Sequence, residues 1–141
     1  TGRGNIPTYF DYQAHISKES MLNTPPVFSI YTSLLNLQWL VRNGGIEAAE
    51  QRNRAKAYLL YEEIDRNPLF EGLCEKEDRS LMNVSFTITD ETKKEAFDNA
   101  WKEAGINGLN GHRSVGGYRA SLYNALPIES VQVLVDVMKS F

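Results

Sequence analysis

Between Asn23-Thr24-Pro25-Pro26 and Gly44-Gly45 lies a stretch whose apolar residues recur on two sides of a helix. Asn and Thr favour helix caps and proline is tolerated in the first turn, so the helix is expected to open there and to stop at the glycine pair. Val27, Ile30, Tyr31, Leu34 and Val41 fall on one side, and Phe28, Leu35 and Trp39 on a second. One core can satisfy a single apolar stripe; a helix apolar on two sides needs two neighbours. One face is therefore expected to meet another subunit or domain. Residues 27–41 are broken by Ser29, Thr32, Ser33, Asn36 and Gln38 and are too short to span a bilayer, so a soluble protein is expected.

The rest of the chain alternates helix and strand patterns. A second helix is expected over 46–65, with Ile46, Ala49, Ala57, Leu60 and Ile64 inward and Glu50–Arg54 and Glu62–Arg66 as i,i+4 pairs outward; Asn67-Pro68 stops it. The run 75–79 reads as a solvated loop. After it Met82, Val84, Phe86 and Ile88 alternate with Asn83, Ser85 and Thr87 as a half-buried strand. Thr89 or Asp90 caps a third helix with Ala96, Phe97, Ala100, Trp101 and Ala104 inward, closed by Gly105. A short strand over 106–109 follows. Then comes a strand on which Tyr118, Ala120 and Leu122 point one way and Arg119, Ser121 and Tyr123 the other. Pro127 opens a last helix with Ile128, Val131, Leu134, Val135 and Met138 buried. This order predicts an α/β sandwich, a short sheet packed with helices. Residues 1–12 show no period and read as an arm or linker.

At 141 residues, 42% hydrophobic and 23% charged, the chain has the composition of one globular domain. Its formal net charge of -3 gives no overall field to attract nucleic acid or anionic lipid, so neither partner is expected. Basic residues then act locally, on a small anion. The lone Cys74 excludes an internal disulfide and is compatible with a reducing cytoplasm. No apolar run follows residues 1–5, so no signal peptide is expected.

The segment Gly111-His112-Arg113-Ser114-Val115-Gly116-Gly117-Tyr118-Arg119-Ala120-Ser121 sets two guanidinium groups and an imidazole about a glycine pair. A guanidinium is a planar fork that matches a carboxylate or phosphate, so two at fixed separation point to a ligand acidic at each end. The glycines would let backbone and ligand come close. The three cations are expected to converge on one hollow. Each signal also has a plainer reading: His112-Arg113 as a solvated loop pair, Arg119 as a strand Arg snorkelling or paired with an acid, Asn23-Thr24 as a helix cap. His15 reads as solvated, Trp39, Phe97 and Trp101 as core, and Cys74 as inert. Glu62 and Glu63 face different directions and make no carboxylate pair. The sequence lacks a glycine-rich phosphate loop after a strand, metal-ligand spacings and any complete catalytic set.

Met21-Leu22-Asn23-Thr24-Pro25-Pro26 followed by Gly111-His112-Arg113-x-Val115-Gly116-Gly117-x-Arg119-Ala120-Ser121-x-Tyr123-Asn124-Ala125-x-Pro127 closely resembles the C-terminal part of the phosphoserine aminotransferases. The resemblance runs over 11–141 and includes Met82-Asn83-Val84. These are class V, fold type I enzymes that use pyridoxal 5'-phosphate. The resemblance implies that Arg119 binds the α-carboxylate of the amino acid. It implies that His112 and Arg113 bind the phosphate of phosphoserine or the distal carboxylate of glutamate. Asn23 and Thr24 would reach the cofactor phosphate of the neighbouring subunit, in a homodimer with shared active sites. It further implies a cytoplasmic enzyme of serine biosynthesis, exchanging an amino group between phosphoserine and 2-oxoglutarate. No lysine here stands in a segment resembling the cofactor-binding one, so this chain is expected to hold no catalytic residue and to be inactive alone. On this view 1–26 is a linker from a missing large domain and 27–141 is the small domain. A free-standing anion-binding or dimerisation module and a related aminotransferase of different substrate remain the alternatives.

Overall fold

The alternation of Val84, Phe86 and Ile88 with polar neighbours forms, in a computed structural model describing residues 6–141, the central strand of a small antiparallel sheet. The described chain makes two units, one ending at Arg42 and one spanning Asn43–Phe141.

In the first unit, Thr8–Phe10 form a 3-10 turn and Tyr12–Ile16 a short helix, α1, capped by the Asp11 carboxylate, which accepts from the Gln13 N–H at 2.9 Å. Helix α2 spans Val27–Arg42, as the Pro-to-Gly punctuation predicts, and none of its residues is buried. Both apolar sides stay open, with Phe28 80% and Val41 73% exposed. The sequence reading draws the domain boundary at 26/27 and counts this helix with 27–141, whereas in the structure it groups with the residues before it.

The second unit begins with α3 (Gly45–Arg66). Glu50 and Arg54 pair at 2.7 Å as expected. Arg66 instead forks onto Glu63, at 2.6 and 2.8 Å, and not onto Glu62. Glu63 is 3% exposed, and a buried carboxylate needs that partner more than the solvated Glu62 does. Strands β1 (Phe70–Gly72), β2 (Asn83–Ile88) and β3 (Tyr118–Ser121) lie in the order β1-β2-β3, both pairs antiparallel. β1, three residues long, is too short to show a period and is absent from the sequence reading. The strand expected at 106–109 does not form. Gly105 and Gly108 take left-handed φ values of 79° and 72°, which break extended pairing, and only Asn110 bridges to Tyr118.

Asp90 caps a 3-10 turn (Glu91–Lys93) leading into α4 (Lys94–Glu103), where Phe97 and Trp101 are buried while Ala96 and Ala104 stay exposed. Helix α5 (Ile128–Lys139) buries Val131, Leu134, Val135 and Met138; Ile128 is left exposed. Together with Ala57, Leu60 and Ile64 of α3 these side chains cover one face of the sheet, the face of Val84, Phe86, Ile88, Tyr118 and Ala120. Fully burying a side chain such as Phe86 contributes about 1.5–3 kcal/mol, and the cluster makes this unit a helix-covered α/β sheet. The run 75–79 is less solvated than it reads. Arg79 grips Asp65 at 2.6 and 2.9 Å and lies 4.5 Å over the Tyr61 ring.

Candidate functional site

β3 places its residues on alternate faces, and this sets Arg119 apart. Tyr118 and Ala120, on either side, are 2% and 6% exposed, whereas Arg119 lies on the uncovered face, across from Ser85 on β2. The strand is anchored from within. Tyr118 stacks on Phe86 at 5.3 Å and meets Phe97 edge-on at 5.1 Å. Its hydroxyl donates to Asp98 Oδ1 at 2.8 Å, an oxygen that also accepts from Trp101 Nε1 at 3.1 Å. Burial and that hydrogen bond push the Tyr118 pKa above its ordinary value, so the phenol stays a donor. The Arg119 backbone N–H donates to the Leu109 carbonyl at 2.7 Å. With its backbone held on both sides, the Arg119 guanidinium makes no ion pair or side-chain hydrogen bond among the described residues. A cation so placed is free to take an anion from outside.

Beside it lies a cavity of about 330 Å³, whose lining includes apolar Ile106, Leu109, Leu122 and Leu134 and polar Arg119 and Ser121. Neither His112 nor Arg113 lines this cavity. Those two residues stand on the loop 111–117, which precedes the strand rather than belonging to it. The loop is closed by its own backbone. Gly111 N–H donates to the Gly117 carbonyl at 2.9 Å, and the Val115 and Gly116 amides both donate to the His112 carbonyl, at 2.9 and 2.8 Å.

Two glycines of this loop are required by the protein's own backbone. Gly117 has φ 62°, and a Cβ there would meet the Phe86 carbonyl oxygen at 2.6 Å; one at Gly111 would meet the Gly116 carbonyl. Only glycine lets the loop fold this tightly against β2. The result is that His112, Arg113 and Ser114 are all exposed. Ser114 fixes the imidazole: its N–H donates to His112 Nδ1 at 3.3 Å, and its hydroxyl lies 2.7 Å from the same atom. With Nδ1 engaged by Ser114, Nε2 is the ring nitrogen left for a ligand.

Asn23 and Thr24, in the first unit, are exposed just ahead of α2 and make no side-chain hydrogen bond among the described residues. Sequence reading passes over Lys56. Its position, three residues after Asn53 and four before Leu60, places it on the buried stripe of α3, and that spacing was the available signal. Burial lowers its pKa, with Arg52 adding to the effect. Cys74 is exposed. No helix among the described residues is long and apolar enough to cross a membrane.

The family model for Aminotransferase class-V matches residues 4–134. The phosphoserine aminotransferase of Flavobacterium johnsoniae is 64% identical over 135 residues, which cover 96% of this chain and 38% of that protein. That of Bacteroides thetaiotaomicron is 53% identical over 138 residues, covering 96% of this chain and 39% of the relative. Among solved structures, the phosphoserine aminotransferase from Bacillus circulans subsp. alkalophilus superposes with a TM-score of 0.82 at 41% identity, over 96% of this chain and 38% of that one. The PLP-bound phosphoserine aminotransferase from Trichomonas vaginalis gives 0.79 at 37% identity, over 99% and 40%. The chain thus spans about two-fifths of the length of the relatives it matches. With the motifs, the sheet and the family match in agreement over nearly all of its length, the chain belongs to the class-V aminotransferases.

Proposed function

We propose that this chain supplies the substrate-orienting C-terminal part of a phosphoserine aminotransferase, which exchanges an amino group between phosphoserine and 2-oxoglutarate. The observation that carries the reading is Arg119, a guanidinium without an acidic partner among the described residues, on a strand whose neighbouring residues are locked in the core. In this role Arg119 takes the α-carboxylate of the amino acid in a two-bond fork. His112 Nε2 and the Arg113 guanidinium hold the phosphate of phosphoserine, or the distal carboxylate of glutamate. They stand exposed on a loop closed by its own backbone hydrogen bonds, open to an anion from outside.

Pyridoxal 5'-phosphate, when bound, supplies the electron sink that lets the α-hydrogen leave as a proton. The donor chemistry of Asn23 and Thr24 fits its phosphate: an amide and a hydroxyl, neither with a side-chain hydrogen bond among the described residues, stand exposed just ahead of α2. In this reading they serve the active site of the neighbouring subunit in a cytoplasmic homodimer. The lysine that carries the cofactor belongs to the remainder of the full-length polypeptide. The chain's own work is to bind and orient.

The test uses the full-length protein. Alanine at Arg119 is expected to weaken use of both phosphoserine and glutamate. Alanine at His112 and Arg113 together is expected to reduce phosphoserine turnover; unchanged rates in that double variant reject the phosphate role. The present chain with added cofactor is expected to show no transamination, and turnover would overturn the division of labour. Calorimetric titration of this chain with phosphoserine separates the readings further, since tight binding favours a self-sufficient anion-binding module.

A further inference from the structure

Lys56 is 2% exposed, yet no carboxylate pairs with it among the described residues. Its Nζ donates to three backbone carbonyls, those of Leu122 at 3.0 Å, Tyr123 at 2.7 Å and Leu126 at 3.1 Å. An ammonium has three donors, and all three are used. One turn earlier on the same face of α3, Asn53 donates from Nδ2 to Asn124 Oδ1 at 2.7 Å. Two side chains of one helix therefore grip one short segment, residues 122–126, which carries the chain from β3 to α5.

Stability alone does not call for this arrangement. Burying an ammonium without a counter-ion is costly, and an apolar stem of the same length would fill the space. What the ammonium adds is convergence, because three carbonyls must aim at one point. The segment binds itself only lightly, by Leu126 N–H to the Tyr123 carbonyl at 2.9 Å, while Leu122 N–H holds the Met82 carbonyl at 2.7 Å. The shortest Lys56 contact falls on Tyr123. Two residues past the end of β3, it follows the row Arg119, Ser121 in sequence and, like Arg119, is exposed.

We propose that Lys56 is a positioning residue: by gathering the carbonyls of residues 122, 123 and 126 it fixes where the chain leaves β3, and so the attitude of the row that begins at Arg119. The functional half of this inference rests on the reading of Arg119 as the carboxylate-binding group.

The experiment compares Lys56→Met with wild type in the full-length protein, by hydrogen exchange and by steady-state kinetics. Exchange in peptides covering 119–126 is expected to quicken by about tenfold or more, with 83–88 unchanged, because the opening is local. The KM for phosphoserine is expected to rise about tenfold with kcat altered less than about threefold, the pattern of a misplaced binding group. Val135→Ala, a core truncation on α5, serves as the control and should lower stability without moving KM. If Lys56→Met does not fold, Asn53→Ala takes its place, with a smaller change of the same kind over 119–126. Exchange that quickens everywhere, or not at 119–126, overturns the proposal, as does an unmoved KM. Local quickening in a protein whose wild type does not use phosphoserine supports the anchor and rejects the substrate reading instead.

Discussion

Alanine at Gly117 and alanine at Gly116 form a matched pair that tests why the cation-bearing loop contains two glycines. Both positions are left-handed, with φ 62° and 77°. A non-glycine residue there costs about 1–2 kcal/mol. The surroundings then separate them. A Cβ at Gly116 meets nothing within 4 Å, so its variant reports the backbone cost alone. A Cβ at Gly117 lies 2.6 Å from the Phe86 carbonyl oxygen and 3.6 Å from Thr87 Cβ. Phe86 is in the central strand, in register with Gly72 on one side and Tyr118 on the other, so its carbonyl cannot move without disturbing two pairings. Relieving such an overlap costs about 1–3 kcal/mol more, giving about 2–5 kcal/mol for Gly117→Ala against about 1–2 for Gly116→Ala. Equilibrium urea unfolding of both variants beside wild type measures the difference. Equal losses, within about 0.5 kcal/mol, would refute the claim that Gly117 is required by the strand rather than by its own φ.

Three further outcomes follow from the same geometry. Asp65 is held down to about 2, against an ordinary 3.8, first by its hydrogen bonds to Arg79 and then by Lys76. A lowered folded pKa means the pair's contribution is complete above about 3.8 and disappears as pH falls through about 2; with the side chain 33% exposed, solvent screening leaves it at about 1 kcal/mol. Stability profiles of wild type and Asp65→Asn should converge over that acid window, and a constant gap would contradict this. Phe97, fully buried among Phe70, Tyr118 and Phe141, should lose about 3–5 kcal/mol on truncation to alanine, and a thermal-melt loss under about 2 kcal/mol would contradict the packing. Arg119→Ala should lower kcat/KM for phosphoserine roughly ten- to a hundredfold, from about 1.5–3 kcal/mol per charged contact, and a fall under about threefold would remove Arg119 from the binding role.

Periodicity by itself determined α2, α3, α4, α5, β2 and the two-faced reading of β3, because the side on which a residue falls is set by its neighbours within a turn or two. The Asn23-Thr24-Pro25-Pro26 and 111–127 motifs likewise carried the family, as an ordered pair of local patterns. The tertiary structure decided what depends on distant partners. It showed β1, whose three residues acquire strand geometry only by pairing with β2, and it removed the strand expected at 106–109. It set Gly117 against the Phe86 carbonyl, a close approach that no local pattern shows. It left Arg119 without an acidic partner among the described residues while Arg79, equally cationic in sequence, closed on Asp65. Lys56 is the sharpest case: its acceptors lie 66 to 70 residues further along the chain, and no window on the sequence spans the fold that brings their carbonyls to its ammonium.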